Sequence, residues 1–128
     1  MIGIDTNVLL RWLLNDDPAQ ADMAAKVFDN GETVFLGDIV LAEAAWVLSR
    51  SYKRSRRAIA SAFRQALNLS CVRVSDRDAV ISALTAYETG GPGLSDHLIG
   101  HLNHAAGCRT TLTFDQQAGD GKLFTTVS

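Results

Sequence analysis

Short apolar runs alternate with longer stretches in which apolar positions recur every three or four residues, and the alternation continues through all 128 residues. The short runs read as buried strands and the longer ones as helices. Met1–Ile4 is the first strand, and Asp5-Thr6-Asn7 supplies three capping residues for a helix over Val8–Leu14. Asp16-Asp17-Pro18 closes that helix and starts another over Ala19–Asn30, with Gly31 as its stop. Thr33–Leu36 predicts a second strand, and Gly37-Asp38 caps a helix ending near Ser51. A helix over Arg57–Leu67, a strand at Cys71–Val74 and a helix over Arg77–Thr89, capped by Ser75-Asp76, follow in turn. Gly90-Gly91-Pro92-Gly93 is a loop. Beyond it the pattern predicts a helix over Ser95–Ala105, a strand at Thr110–Phe114 and a short helical turn at Asp115–Ala118. An Asp120-Gly121 turn leads to a last strand at Lys122–Thr125. Strands alternating with helices predict an α/β fold, a parallel sheet covered on both faces.

One helix breaks the expected balance of apolar and polar faces. Ile39 to Leu48 is apolar nearly all round, and Glu43 is the only charged residue between Asp38 and Arg50. Such a helix is expected to be substantially buried, and a carboxylate there is costly without compensation. The chain offers more acids where apolar segments meet helix starts: Asp5, Asp96 and Asp115. In parallel sheets ligands bind beyond the carboxyl ends of the strands. Asp5 follows the first strand and Asp115 the fourth, while Asp96 opens the helix leading into the fourth. Glu43 lies about 7 Å along its helix, and its side chain leans back toward the same edge. If the first and fourth strands are neighbours, all four acids reach one pocket.

Singly, Asp5, Asp96 and Asp115 are also explained as helix N-caps, worth about 1 kcal/mol each. Glu43, being mid-helix, is instead explained as a buried glutamate bonded to a backbone group. Jointly, several carboxylates within about 5 Å repel and raise one another's pKa unless a cation neutralises them. An oxygen-only set suits Mg²⁺ or Mn²⁺ rather than zinc.

Length and composition fit one globular domain spanning residues 1–128, 47% hydrophobic and 20% charged. No segment approaches a membrane span, and Asp5 and Arg11 interrupt the N-terminal apolar run, against a signal peptide. Cys71 and Cys108 lack metal-ligand spacing and read as reduced, buried thiols of a cytoplasmic protein. The net charge of −2 conceals an asymmetry. Arg50, Lys53, Arg54, Arg56 and Arg57 hold five of the 12 basic residues, leaving seven against 14 acids elsewhere. That patch is either a solvated junction between helices or a contact for a phosphate backbone.

The opening Met-Ile-Gly-Ile-Asp-Thr-Asn-Val-Leu-Leu-Arg resembles the start of a PIN domain. So do Leu41-Ala42-Glu43, Ser95-Asp96-His97-Leu98-Ile99 and the run from Gly107 to Asp115. Order and spacing are similar to the toxin half of VapBC-type toxin–antitoxin pairs over nearly the whole chain. The resemblance implies a three-layer α/β/α fold with a central parallel sheet of about five strands. It also implies a Mg²⁺- or Mn²⁺-dependent endoribonuclease, commonly a homodimer, silenced by a small antitoxin protein. Carried over by position, Asp5 and Asp96 are the main metal ligands, and Glu43 and Asp115 complete the catalytic acidic pocket. Thr6, Asn7 and Thr113 then orient carboxylates or phosphate from behind, though capping or turn formation explains them equally. Lys53, Arg54, Arg56 and Arg57 are the candidates for RNA-backbone contact.

The chain departs from the family pattern at Gly93-Leu94-Ser95-Asp96-His97-Leu98, where many relatives read Asp-Phe-x-Asp-Ala-Leu. The acid three positions before Asp96 is missing, and His97 replaces a small residue. The glycine loop lacks the Lys-Ser/Thr of a P-loop and reads as a turn that could also admit substrate. His97 and His101 share a helix face able to bind zinc, but no zinc-protease glutamate lies between them, so a surface or dimer-contact role is preferred for the histidines. Trp12, Trp46 and Phe63 sit among aliphatics and read as core or dimer interface. The main rival reading is a catalytically silent PIN-fold adaptor that binds RNA or protein. A haloacid dehalogenase-like phosphatase needs an aspartate where Asn7 stands, and a receiver domain needs its acceptor where Ser75-Asp76 offers only a cap.

Overall fold

The computed structural model describes every residue except Asp120, and its helices and strands fall into two compact units, Met1–Ser75 and Asp76–Ser128. In the first unit, β1 (Ile2–Gly3), β2 (Val34–Phe35) and β3 (Val72–Arg73) form a parallel ladder in that order. Ile2 stands opposite Val34 and Val34 opposite Val72. The crossovers are helical, α1 (Thr6–Leu14) and α2 (Pro18–Asp29), then α3 (Asp38–Arg50) and α4 (Arg56–Leu67). Parallel strands cannot be joined by a tight hairpin, so helices of this length are what the ladder requires. Each strand stops where its polar cap begins: Asp5 follows β1, Gly37-Asp38 follows β2, and Ser75-Asp76 follows β3.

Helix α4 shows why this sequence packs as it does. Ile59, Phe63, Ala66 and Leu67 recur at helical spacing and are all buried, and Phe63 is fully so. Burying a phenylalanine side chain stabilises by about 1.5–3 kcal/mol. Val34, Leu36, Leu41 and Leu48 are also in the core of this unit. Trp12 is half-buried and lies on Phe28, ring centroids 4.6 Å apart.

In the second unit, α5 (Arg77–Thr89) and α6 (Leu94–Ala105) precede β4 (Thr111–Thr113), α7 (Gln116–Gly119) and β5 (Phe124–Thr126). The two strands pair in parallel, Thr111 opposite Phe124 and Thr113 opposite Thr126. Val80, Ala83, Leu84, Leu94 and Leu98 form its core. Gly100 lies in the interior of α6 because the Phe124 ring covers it; a Cβ there would stand 2.6 Å from Phe124 Cε2.

Among the described residues all five strands and all seven helices are as expected in kind and sequence order, but the strands are shorter than the apolar runs suggest and pair as one ladder of three and one of two. The expected turn at Asp120-Gly121 lies in part outside the described residues. Among the described residues no helix is long and apolar enough to cross a membrane.

Several expectations about burial are corrected. Glu43 is exposed, because α3 buries only Leu41, Ala44, Ala45 and Leu48. Its opposite face is apolar in composition yet open, with Ile39 75% and Trp46 62% exposed. Trp46 is therefore not core; the Arg50 guanidinium lies 5.5 Å from its ring centroid. Cys71 is half-buried and Cys108 exposed, both as free thiols.

Candidate acidic site and its polar supports

Asp5 is the N-cap of α1: its Oδ1 accepts the Val8 amide at 3.0 Å. The cap uses one carboxylate oxygen, so capping and metal ligation are compatible rather than rival roles. The next residue, Thr6, donates its hydroxyl to Glu43 Oε1 at 2.8 Å. One dipeptide at the end of β1 thereby holds one acid and fixes another that lies 37 residues further on. Glu43 takes this bond from a neutral hydroxyl, so its negative charge is oriented without being cancelled. Asn7 is exposed and, with Asp5, lines a cleft of about 510 Å³ between α1 and α2. Arg11 of α1 and Gln20 and Met23 of α2 also line it, with Arg11 held 2.8 Å from Asp16.

A second polar link at the same edge of this ladder is not evident in the sequence. Ser75 donates to the Asp38 carboxylate, at 2.7 Å from one oxygen and 2.9 Å from the other. Asp38 is the first residue of α3, whose N-cap, Gly37, has no side chain to cap with. The only signal for this pair is an acid and a hydroxyl that each follow a strand; their partnership depends on β2 and β3 being neighbours.

In the second unit Asp96 lies within the first turn of α6, and Gly93 is the N-cap. The expected capping role for Asp96 is therefore wrong. A carboxylate in the first turn still interacts favourably with the helix dipole. Asp115 behaves as expected of a cap: Oδ1 accepts the Gln117 amide at 2.9 Å and the Ala118 amide at 3.5 Å. Thr113 serves the same turn, its Oγ1 accepting the Asp115 amide at 3.0 Å. Asp5 and Glu43 thus stand in the first unit, and Asp96 and Asp115 in the second. Among the described residues of either unit by itself, no three His, Cys, Asp or Glu side chains gather to hold a metal ion.

The histidines of α6 are not a surface row. His97 is half-buried, with Nε2 2.9 Å from the Gly90 carbonyl and its ring edge-on to Tyr87 at 6.4 Å. His101 is also half-buried, and burial, with the neighbouring imidazoles of His97 and His104, lowers its pKa below the usual 6.5. His104 is exposed.

The basic stretch lies between α3 and the start of α4. Lys53, Arg54 and Arg57 are exposed and Arg56 is half-buried. Lys53 adopts φ 54°, a left-handed conformation that is uncommon outside glycine. Ser55 caps α4 through the Ala58 amide at 3.1 Å, which puts Arg56 and Arg57 in its first turn. Cations at that end oppose the helix dipole, so the sequence accepts a small cost to keep two guanidiniums there.

Comparison with curated proteins finds no match. Among solved structures, the chain is similar to the VapC20 toxin of Mycobacterium tuberculosis, described as cleaving the sarcin–ricin loop, at 19% identity and a TM-score of 0.46 over 98% of each chain. The model of the PIN domain matches residues 2–120, through both units and all four acids. With nearly its whole length so matched, the chain belongs to the PIN-domain family.

Proposed function

We propose that this protein is a metal-dependent endoribonuclease acting as the toxin of a toxin–antitoxin pair. The observation that carries the reading is the Thr6–Glu43 hydrogen bond beside Asp5. A mid-helix glutamate held by a hydroxyl at the carboxyl end of a parallel ladder is an arrangement that orients charge for a ligand, not for packing. Family membership supports the nuclease class, and the order of the four acids supports the residue assignment.

In this reading Asp5 and Asp96 are the main ligands for Mg²⁺ or Mn²⁺, and Glu43 and Asp115 are the further acids of the set. The donor set fits a hard cation, being all carboxylate, with Asp5 and Asp115 each committing Oδ1 to a backbone amide and retaining Oδ2. When bound, such a cation lowers the pKa of water and offsets charge developing on a phosphoryl oxygen. Thr6 holds Glu43 in one orientation, Thr113 fixes the turn that presents Asp115, and Asn7 borders the cleft beside Asp5. Hydrolysis of the phosphodiester would leave a 5′-phosphate and a 3′-hydroxyl. The RNA backbone is held by Lys53, Arg54, Arg56 and Arg57, which explains why arginines are kept at the unfavourable end of α4. A homodimer, a small antitoxin that covers the acidic pocket and a cytoplasmic site of action complete the proposal.

Asp5→Asn or Asp96→Asn should abolish both RNA cleavage in vitro and growth arrest on expression. Cleavage that survives both changes would defeat the assignment of these acids, and RNA binding without cleavage by the unaltered chain would favour the silent adaptor. Charge reversal at Arg54 and Arg57 should weaken RNA binding and make the plot of log affinity against log salt shallower, by on the order of 0.7 per lost phosphate contact. An unchanged slope removes this stretch from the interface.

A further inference from the structure

Four of the first six helices begin on a side-chain cap: Asp5 for α1, Asp17 for α2, Ser55 for α4 and Asp76 for α5. The two that do not are α3 and α6, which begin on Gly37 and Gly93. These are the helices that carry Glu43 and Asp96. An uncapped first turn has unsatisfied amides and frays. In α3 the first turn is tethered instead by Ser75, whose hydroxyl donates to the Asp38 carboxylate. In α6 the corresponding tether comes from His97.

His97 sits one residue beyond Asp96 and four beyond the N-cap. Its Nε2 lies 2.9 Å from the carbonyl of Gly90, the C-cap of α5. With the Nε2–H tautomer the imidazole donates and the carbonyl accepts. The ring fills the space between the buried Tyr87 and the glycine loop: a Cβ at Gly91 would stand 3.5 Å from His97 Nε2. Gly90 at φ 134° and Gly91 at φ 80° adopt backbone conformations that other residues rarely reach. A loop with three glycines in four positions loses much entropy on ordering, so a bond from its start to the next helix has a clear task.

We propose that His97 is a positioning residue for Asp96: it clasps the first turn of α6 to the end of α5 and so holds the Asp96 carboxylate for the divalent ion. This inference rests on the reading of Asp96 as a ligand and extends it to the neighbouring His97.

The test is Mn²⁺ affinity of the full chain, by calorimetry, together with hydrogen exchange at residues 90–98. His97→Ala should weaken Mn²⁺ binding about tenfold and speed exchange across 94–98. His97→Gln, whose amide can donate to the same carbonyl, should recover most of the affinity. Wild-type affinity in His97→Ala, alongside lost binding in Asp96→Asn, would overturn the clasp and leave the ligand assignment standing. Unchanged Mn²⁺ binding in Asp96→Asn would instead defeat the ligand assignment itself. A loss in His97→Ala that glutamine does not recover would mark a merely structural role. Should His97→Ala not fold, exchange in the wild-type protein decides: Mn²⁺ should slow residues 90–93 and 94–98 together, and slowing of neither segment refutes the clasp.

Discussion

Gly100→Ala should destabilise this protein although alanine is the better helix former. In the interior of α6 the exchange gains about 0.8–1 kcal/mol of helix propensity. Against this, the new methyl would stand 2.6 Å from Phe124 Cε2 and 3.0 Å from Cζ. Carbon atoms rest about 3.5–4.0 Å apart, so the ring must retreat by roughly 1 Å. Phe124 is only half-buried and can move, but its ring belongs to a strand paired with β4. Overpacking of this kind costs about 1–3 kcal/mol, and the net loss should be about 1 kcal/mol. Removing the ring should reverse the sign. In a Phe124→Ala background, Gly100→Ala should stabilise by about 0.5–1 kcal/mol, as an ordinary helix substitution does. Urea denaturation of the four proteins closes a double-mutant cycle, with an expected coupling of about 1.5–2 kcal/mol. Equal effects of Gly100→Ala in both backgrounds would refute the packing of β5 on α6, and with it the account of why this helix contains a glycine.

Thr6→Val removes the hydroxyl that orients Glu43 while keeping the shape of the side chain. Because the bond is exposed, stability should change by less than about 1 kcal/mol, whereas cleavage should fall on the order of tenfold; full activity would deny Thr6 its role. His101 gives a pH dependence of known sign. Its folded-state pKa is lowered by burial and then by His97 and His104, so the unfolded chain takes up a proton first as pH falls. Its contribution is complete above the ordinary 6.5 and declines as pH drops through the lowered folded value. The urea midpoint should therefore fall between about pH 7.5 and 5.5, less steeply in His101→Gln; identical slopes would remove His101 as a cause.

Much of this protein is legible from residue order alone. Apolar spacing locates every helix among the described residues, and side-chain caps mark the starts of α1, α2 and α5, because Asp or Pro at a helix start satisfies or dispenses with its orphan amides locally. The acids Asp5, Glu43, Asp96 and Asp115 were also found this way, each as a charge at an unusual point in a repeating pattern. Exposure was not legible. Composition made α3 look buried on every side, yet which face of a helix meets a core depends on what packs against it, and Glu43 and Trp46 face outward. Nor could the sequence pair Thr6 with Glu43, Asp38 with Ser75, or Phe124 with Gly100. Local rules reach along one element and its caps. Partners tens of residues apart are chosen by strand order and helix packing, which only the folded chain decides.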